Sequence, residues 1–353
     1  MKLRTIFVLT LSTSLLWFVA CSSKTSSNES AASNPQVIGA GSTFVYPEMS
    51  RWIDDYHRSH PDVEINYQSI GSGGGIQQLK KGLVNFGASD MPLDDAQLKE
   101  MPALVQIPES AGPVCITYNL EHLNEPLKLS AASLSGIYMG TIKNWQDASI
   151  RKDNPGVNLP NQNIVVVHRS DGSGTSNIFT TYLAAVNPDW GKKIGKGLSV
   201  SWPLGIGGKG SEGVTGLVKQ NPGAIGYVEL AFAQENKLPV AAVENKAGKF
   251  VLPSAEAASA AIDAFSAELA KDVRTPIVDP PASASNAYPI SGLTFLLVPK
   301  QQTDPKRAGE VKSFVAYIIS GGQATAAQLH YAEIPGSLQQ TDQNLLNEVQ
   351  GGS

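Results

Sequence analysis

The chain predicts an α/β protein built from two globular lobes, and three observations carry that expectation. Runs of β-branched residues alternate along the sequence with segments whose apolar residues recur at helical spacing. With 353 residues, 42% of them hydrophobic and 16% charged, the chain is long and apolar enough to bury more than one core. Glycine- and serine-rich turns stand at several points where a strand gives way to a helix.

The first residues are set apart from that pattern. Met1, Lys2, Leu3 and Arg4 precede an apolar run over residues 6–20, softened by Thr and Ser, that ends at Cys21. A charged head, an apolar stretch and a small residue before a cysteine read as an export signal. Phe18, Val19, Ala20 and Cys21 resemble a bacterial lipobox, with Phe18 in a place usually held by Leu. The expectation is a signal peptide over 1–20, lipid on the sulfur of Cys21, and a flexible tether over 21–35, whose Ser, Asn, Ala and Thr bury little apolar surface. The alternative is a plain membrane-spanning anchor.

The formal net charge is −4, and removing Lys2 and Arg4 with no acid makes it more negative. An anion would have to be held by local dipoles and a placed cation, and nucleic acid is not an expected partner. The other cysteine, Cys115, lies in the apolar run Val114, Cys115, Ile116, Thr117, Tyr118, which predicts a buried, inert thiol.

The elements follow in order. A strand starts at Val37 and Ile38. Residues 47–57 carry Met49, Trp52, Ile53 and Tyr56 at helical spacing. Residues 63–67 alternate as a strand, 76–83 return to helix, and Phe86 leads through Gly87, Ala88 and Ser89 to Asp90. A short helix is expected over 94–101. Gln106 and Ile107 precede a proline-containing segment, after which a strand begins at Val114. Residues 164–167 form a β-branched strand, a helix follows from Asn177, and 254–269 read as one Ala-rich helix. Residues 294–298 form a buried strand and 311–319 a helix, with the Pro- and Ser-rich stretch 276–289 connecting two bodies. No internal repeat is present.

The most informative stretch is Arg169, Ser170, Asp171, Gly172, Ser173, Gly174, Thr175, Ser176. It places a guanidinium, two glycines and several hydroxyls at a strand-to-helix turn, where unpaired N–H groups and the helix dipole favour an oxyanion. Taken alone it is equally an ordinary Ser N-cap. Two further turns share the chemistry: Gly39, Ala40, Gly41, Ser42, Thr43, Phe44, and Gly71, Ser72, Gly73, Gly74, Gly75. Asp90 adds a carboxylate at a strand end, repulsive to a fully ionised anion and otherwise a cap or surface residue.

Other motifs carry less. Gly205, Ile206, Gly207, Gly208, Lys209, Gly210 matches a dinucleotide fingerprint by letter, but Pro203 and the want of a buried strand before it make a flexible loop the better reading. No serine sits in a nucleophile elbow, no Walker A run occurs, and His57, His60, His122, His168 and His330 are not spaced as zinc ligands. No metal or cofactor is expected.

The order and spacing of Gly39 to Phe44, Gly71 to Gly75, Gly87 to Asp90 and Arg169 to Ser176 resemble the periplasmic phosphate-binding protein family of bacterial phosphate ABC transporters. The likeness continues through Gly136, Ile137, Tyr138, Gly140, Ile142 and Trp145, through Pro203 to Gly210, and through Pro222 to Val228. It implies a two-lobed periplasmic-binding-protein fold of type II that closes on phosphate as a hinged clamp, with no catalysis. One lobe would comprise 36–112 with 290–353, the other 113–289. The implied ligand positions are Thr43, Phe44 through its amide, Ser72, Asp90, Arg169, Ser173, Gly174 and Thr175, with Asp171 holding the arginine. Gly73 stands where the family often has serine. The implied partners are inorganic phosphate and the membrane permease subunits of the transporter. Alternatives are another tetrahedral oxyanion such as sulfate, against which Asp90 argues, and a phosphoryl-transfer or hydrolytic enzyme, for which no base and nucleophile pair is identifiable.

Overall fold

Eight strands form the mixed sheet on which the molecule is built, in the order β2-β1-β3-β11-β4-β8-β6-β7. They are β1 Val37–Gly41, β2 Ile65–Ser69, β3 Phe86–Ser89, β4 Leu104–Tyr118, β6 Val165–Arg169, β7 Ile206–Gly208, β8 Ala224–Glu229 and β11 Ser291–Pro299. A smaller sheet joins β5 Lys128–Leu129, β9 Ala242–Glu244 and β10 Phe250–Val251, and β12 Gln301–Gln302 pairs with β13 Gln350–Gly351. The computed structural model describes residues 36–351, apart from 102, 122, 124 and 303. The expected signal peptide, the tether and Cys21 lie outside the described residues, as does His122.

Strand β4 ties the halves of the sheet together. Its residues 104–113 pair antiparallel with β11, which in turn pairs with β3, and its residues 114–118 pair antiparallel with β8. On the β1 side, the helix Tyr46–Ser59 buries Met49, Trp52 and Tyr56 against Val311, Phe314, Val315 and Ile318 of the helix Pro305–Ile318. On the β6 side, Phe179, Tyr182 and Leu183 of the helix Gly174–Val186 pack with Ile116, Tyr138 and Tyr227. Each such side chain contributes roughly 2–3 kcal/mol of burial, so the two helix layers fix where the strand ends between them point.

Four local expectations are corrected. The prolines do not break β4: Pro108 and Pro113 lie inside it. Over residues 104–113 the continuous ladder runs on the β11 side alone, with a single bridge from Ala111 to Ala332 on the other, so strand residues lacking an N–H are tolerated. The helix expected from residue 76 begins at Ser72, because Gly75 lets it approach β1 more closely than a side chain allows; a Cβ there would lie 2.4 Å from the Ala40 carbonyl oxygen. Residues 205–210 are no flexible loop: β7 pairs in parallel with β6, and Gly210 opens the helix Gly210–Gln220. The Ala-rich stretch is two helices, Ala255–Ala264 and Ser266–Leu269, parted at Phe265. Cys115 is buried and unpaired as expected, its thiol pushed well up by burial and then by Glu229. Among the described residues no helix is long and apolar enough to cross a membrane.

Candidate anion-binding site

Arg169 ends β6, and its side chain is only 2% exposed. Its Nε donates to Asp171 Oδ1 at 2.8 Å and its Nη2 to Asp171 Oδ2 at 2.6 Å, a two-pronged pairing that fixes the plane of the guanidinium. Its Nη1 reaches Thr175 Oγ1 at 3.4 Å. Burial works against the Asp171 charge, but the hydrogen bonds and charge of Arg169 and the Gly210 N–H, at 3.0 Å, together hold the carboxyl below its ordinary range. Ser173 caps the helix Gly174–Val186, its Oγ accepting from Ser176 N at 3.0 Å. The N-cap reading therefore holds, and it leaves the anion reading open: the capping oxygen accepts, and its hydroxyl proton still has to be donated elsewhere.

The other half of the sheet supplies a facing set. After β1, the Ser42 hydroxyl donates to Asp90 Oδ1 and accepts from Phe44 N at 3.0 Å, so the amide expected to serve a ligand is here turned onto Ser42. Thr43 is 2% exposed, and its Oγ1 lies 2.9 Å from Ser211 Oγ. Ser72 Oγ accepts from Asp90 N at 3.3 Å and from Gly174 N at 3.2 Å, joining the two halves through one atom. The backbones also meet directly, Gly73 N donating to Gly172 O at 2.9 Å. Only glycine fits where they cross. A Cβ on Gly174 would lie 2.5 Å from Ser72 Oγ and 2.6 Å from Asp90 Oδ2.

Asp90 is buried, which the cap or surface reading did not require. Burial pushes its carboxyl up to about 6, while the hydrogen bond from Ser42, the charge of Arg169 and a hydrogen bond from Ser72 pull it back. At neutral pH it is therefore mostly ionised, an acceptor set among donors.

The structure thus sets Ser72 and Asp90 from one half of the sheet against Gly174 and Arg169 from the other; Thr43 meets Ser211 across the same divide, Thr175 lies beside Arg169, Ser173 caps the helix that Gly174 opens, and Asp171 stands behind Arg169. Sequence reasoning named Ser42, Gly210 and Tyr227 only as members of motifs, with no contact assigned to them, and did not name Ser211. Tyr227 Oη accepts from Arg169 N at 3.1 Å and lies 2.6 Å from Ser176 Oγ, so it holds the strand end against the helix start. Ser211 follows a glycine-rich stretch, the one signal that could have found it. Among the described residues no group of three or more His, Cys, Asp or Glu side chains is placed to hold a metal. Hydroxyls and a pinned guanidinium around one buried carboxylate suit an oxyanion that keeps a proton.

Residues 26–321 match the PBP superfamily domain. The phosphate-binding protein PstS of Xylella fastidiosa (strain Temecula1) is 44% identical over 305 residues, covering 86% of this chain and 82% of that protein. The chain belongs to this family of binding proteins. PstS of Haemophilus influenzae is 40% identical over 306 residues, covering 86% of this chain and 90% of its own. Among solved structures, a putative phosphate ABC transporter substrate-binding protein from Clostridium perfringens with bound phosphate superposes with a TM-score of 0.61. It is 21% identical and covers 85% of this chain and 100% of its own, a likeness of fold. The fold expected from the sequence, two α/β lobes of the periplasmic-binding-protein kind, is the fold found, and the family is one of transport binding proteins, not enzymes.

Proposed function

We propose that this protein binds inorganic phosphate between two lobes and delivers it to the permease of an ABC-type phosphate importer. The observation that carries this reading is Asp90: a buried carboxylate facing the Arg169 guanidinium and the hydroxyls of Ser42 and Ser72. Phosphate at neutral pH retains a proton to donate to that carboxylate, while its remaining oxygens take the donors. Sulfate has no proton and sets oxygen against oxygen in a desolvated place. The lobes are 36–112 with 290–353, and 113–289, with β4 and β11 running along their junction. The contacts of Ser72 with Gly174 and of Thr43 with Ser211 then belong to the closed form, which ligand stabilises by bridging both lobes. Loaded and empty protein present different surfaces to the permease. Cys21 carries lipid after cleavage of residues 1–20 and anchors the protein on the outer side of a bacterial membrane through the tether.

Calorimetric titration with phosphate, sulfate and a phosphate monoester tests the reading. Phosphate is expected to bind one to one, and sulfate more weakly by a factor on the order of 10⁴, because a site built for one hydrogen bond leaves a buried group unpaired when the partner is missing. Equal binding of sulfate, or no heat with phosphate, overturns it.

A further inference from the structure

The turn that follows β7 touches both sets of anion-binding groups. Gly210, at φ +71°, donates its N–H to Asp171 Oδ1, and Asp171 in turn fixes Arg169. The next residue, Ser211, is 1% exposed and sets its Oγ 2.9 Å from Thr43 Oγ1, which belongs to the opposite half of the sheet. The pair spans 168 positions in sequence, so it forms only when the two halves meet.

Two hydroxyls at that distance share one proton, and the second proton must point elsewhere. With Ser211 donating, the Thr43 oxygen is occupied on that side and its own proton is turned away from Ser211. In that arrangement the threonine hydroxyl becomes a directed donor, whereas with Thr43 donating its proton would be spent on Ser211. We infer that Ser211 is a positioning residue for the anion: it orients the Thr43 hydroxyl toward the ligand and latches the closed form. This rests on the phosphate reading and adds to it a contact that exists only in the closed state.

Such a contact should slow ligand release while leaving capture nearly unchanged, since the encounter is with the open form. The test measures phosphate affinity and release rate for the full-length protein, Ser211→Ala, Ser211→Thr, Thr43→Val and the double variant Thr43→Val/Ser211→Ala, with the melting temperature of each without ligand. Ser211→Ala is expected to weaken phosphate about fivefold to tenfold, the size of one buried neutral hydrogen bond, with the change in the release rate. Ser211→Thr, which keeps the hydroxyl, should restore most of it. In the Thr43→Val background the Ser211→Ala change should add almost nothing, and ligand-free melting should stay at the parent value. Parent-like release from Ser211→Ala, additive losses in the double variant, or a loss that follows a fall in ligand-free melting overturns the assignment. Failure of the parent itself to bind phosphate is a different result and overturns the phosphate reading together with it.

Discussion

Replacing Gly174 by alanine should hold the protein open. The added Cβ would lie 2.5 Å from Ser72 Oγ, 2.6 Å from Asp90 Oδ2 and 2.7 Å from Asp90 Cβ, against 3.4–4 Å for ordinary contact. Neither neighbour is a loose chain end. Ser72 Oγ is held by the N–H groups of Asp90 and Gly174, and Asp90 by the Ser42 hydroxyl. The backbones must therefore part by roughly 1 Å, and overpacking of this kind costs about 1–3 kcal/mol, a loss of about fivefold to 150-fold in affinity. Because the clash partners lie on the other half of the sheet, opening relieves the strain, and the ligand-free protein should melt within about 1 °C of the parent. Gly172→Ala, whose Cβ would sit 3.2 Å from Gly73 Cα, should lose less. Gly216→Ala, in the helix Gly210–Gln220 with nothing within 4 Å, should bind normally and gain up to about 1 kcal/mol of helix stability. Titration calorimetry with melting curves reads all three. Parent-like affinity in Gly174→Ala, or a loss of ligand-free stability as large as the loss of binding, would refute the reasoning.

Three more outcomes are expected. Arg169→Lys exchanges a fork bonded twice to Asp171 for a point charge, and phosphate affinity should fall by about 3 kcal/mol, more than a hundredfold by calorimetry. Burial lifts Glu109 to about 8 against a hydrogen bond from Thr294, with the Asp90 charge adding to the rise, and lifts Glu229 to about 8. The folded state thus holds more protons than the unfolded one between about pH 4 and about pH 8, and ligand-free stability should fall as pH rises through that window. Glu109→Gln should flatten the fall by at least about 1 kcal/mol in melts at about pH 5 and about pH 9, and an unchanged slope contradicts the assignment. Cys21→Ser should release the protein from the membrane fraction; a variant that stays bound after normal signal cleavage rules out anchoring through that sulfur.

Where local chemistry and tertiary packing agree, the sequence was readable. Arg169 to Ser176 declares both its strand end and its Ser173 cap, because the capping bond is local. Asp90 was legible as a strand-end carboxylate, but its burial is a product of the two halves meeting. The misread segments are those where packing overrides local preference. Gly73, Gly74 and Gly75 look like loop and are helix, since close approach to β1 outweighs their poor propensity. Pro108 and Pro113 look like breakers, yet sit where the lost N–H has no continuous ladder to complete. Ile206 and Gly207 are exposed on an edge strand with no apolar alternation to reveal it. Ser211 acquires its partner only through a contact far away in sequence.

The central claim, that a buried carboxylate reads the proton on the ligand, is tested most directly by competition calorimetry of phosphate against sulfate at neutral pH on the parent and on Asp90→Asn. The asparagine keeps the shape and supplies a donor where the parent has an acceptor. Sulfate binding should become measurable in Asp90→Asn while phosphate is weakened only modestly. If the preference for phosphate over sulfate is the same in both proteins, Asp90 is not the discriminator and the account is contradicted.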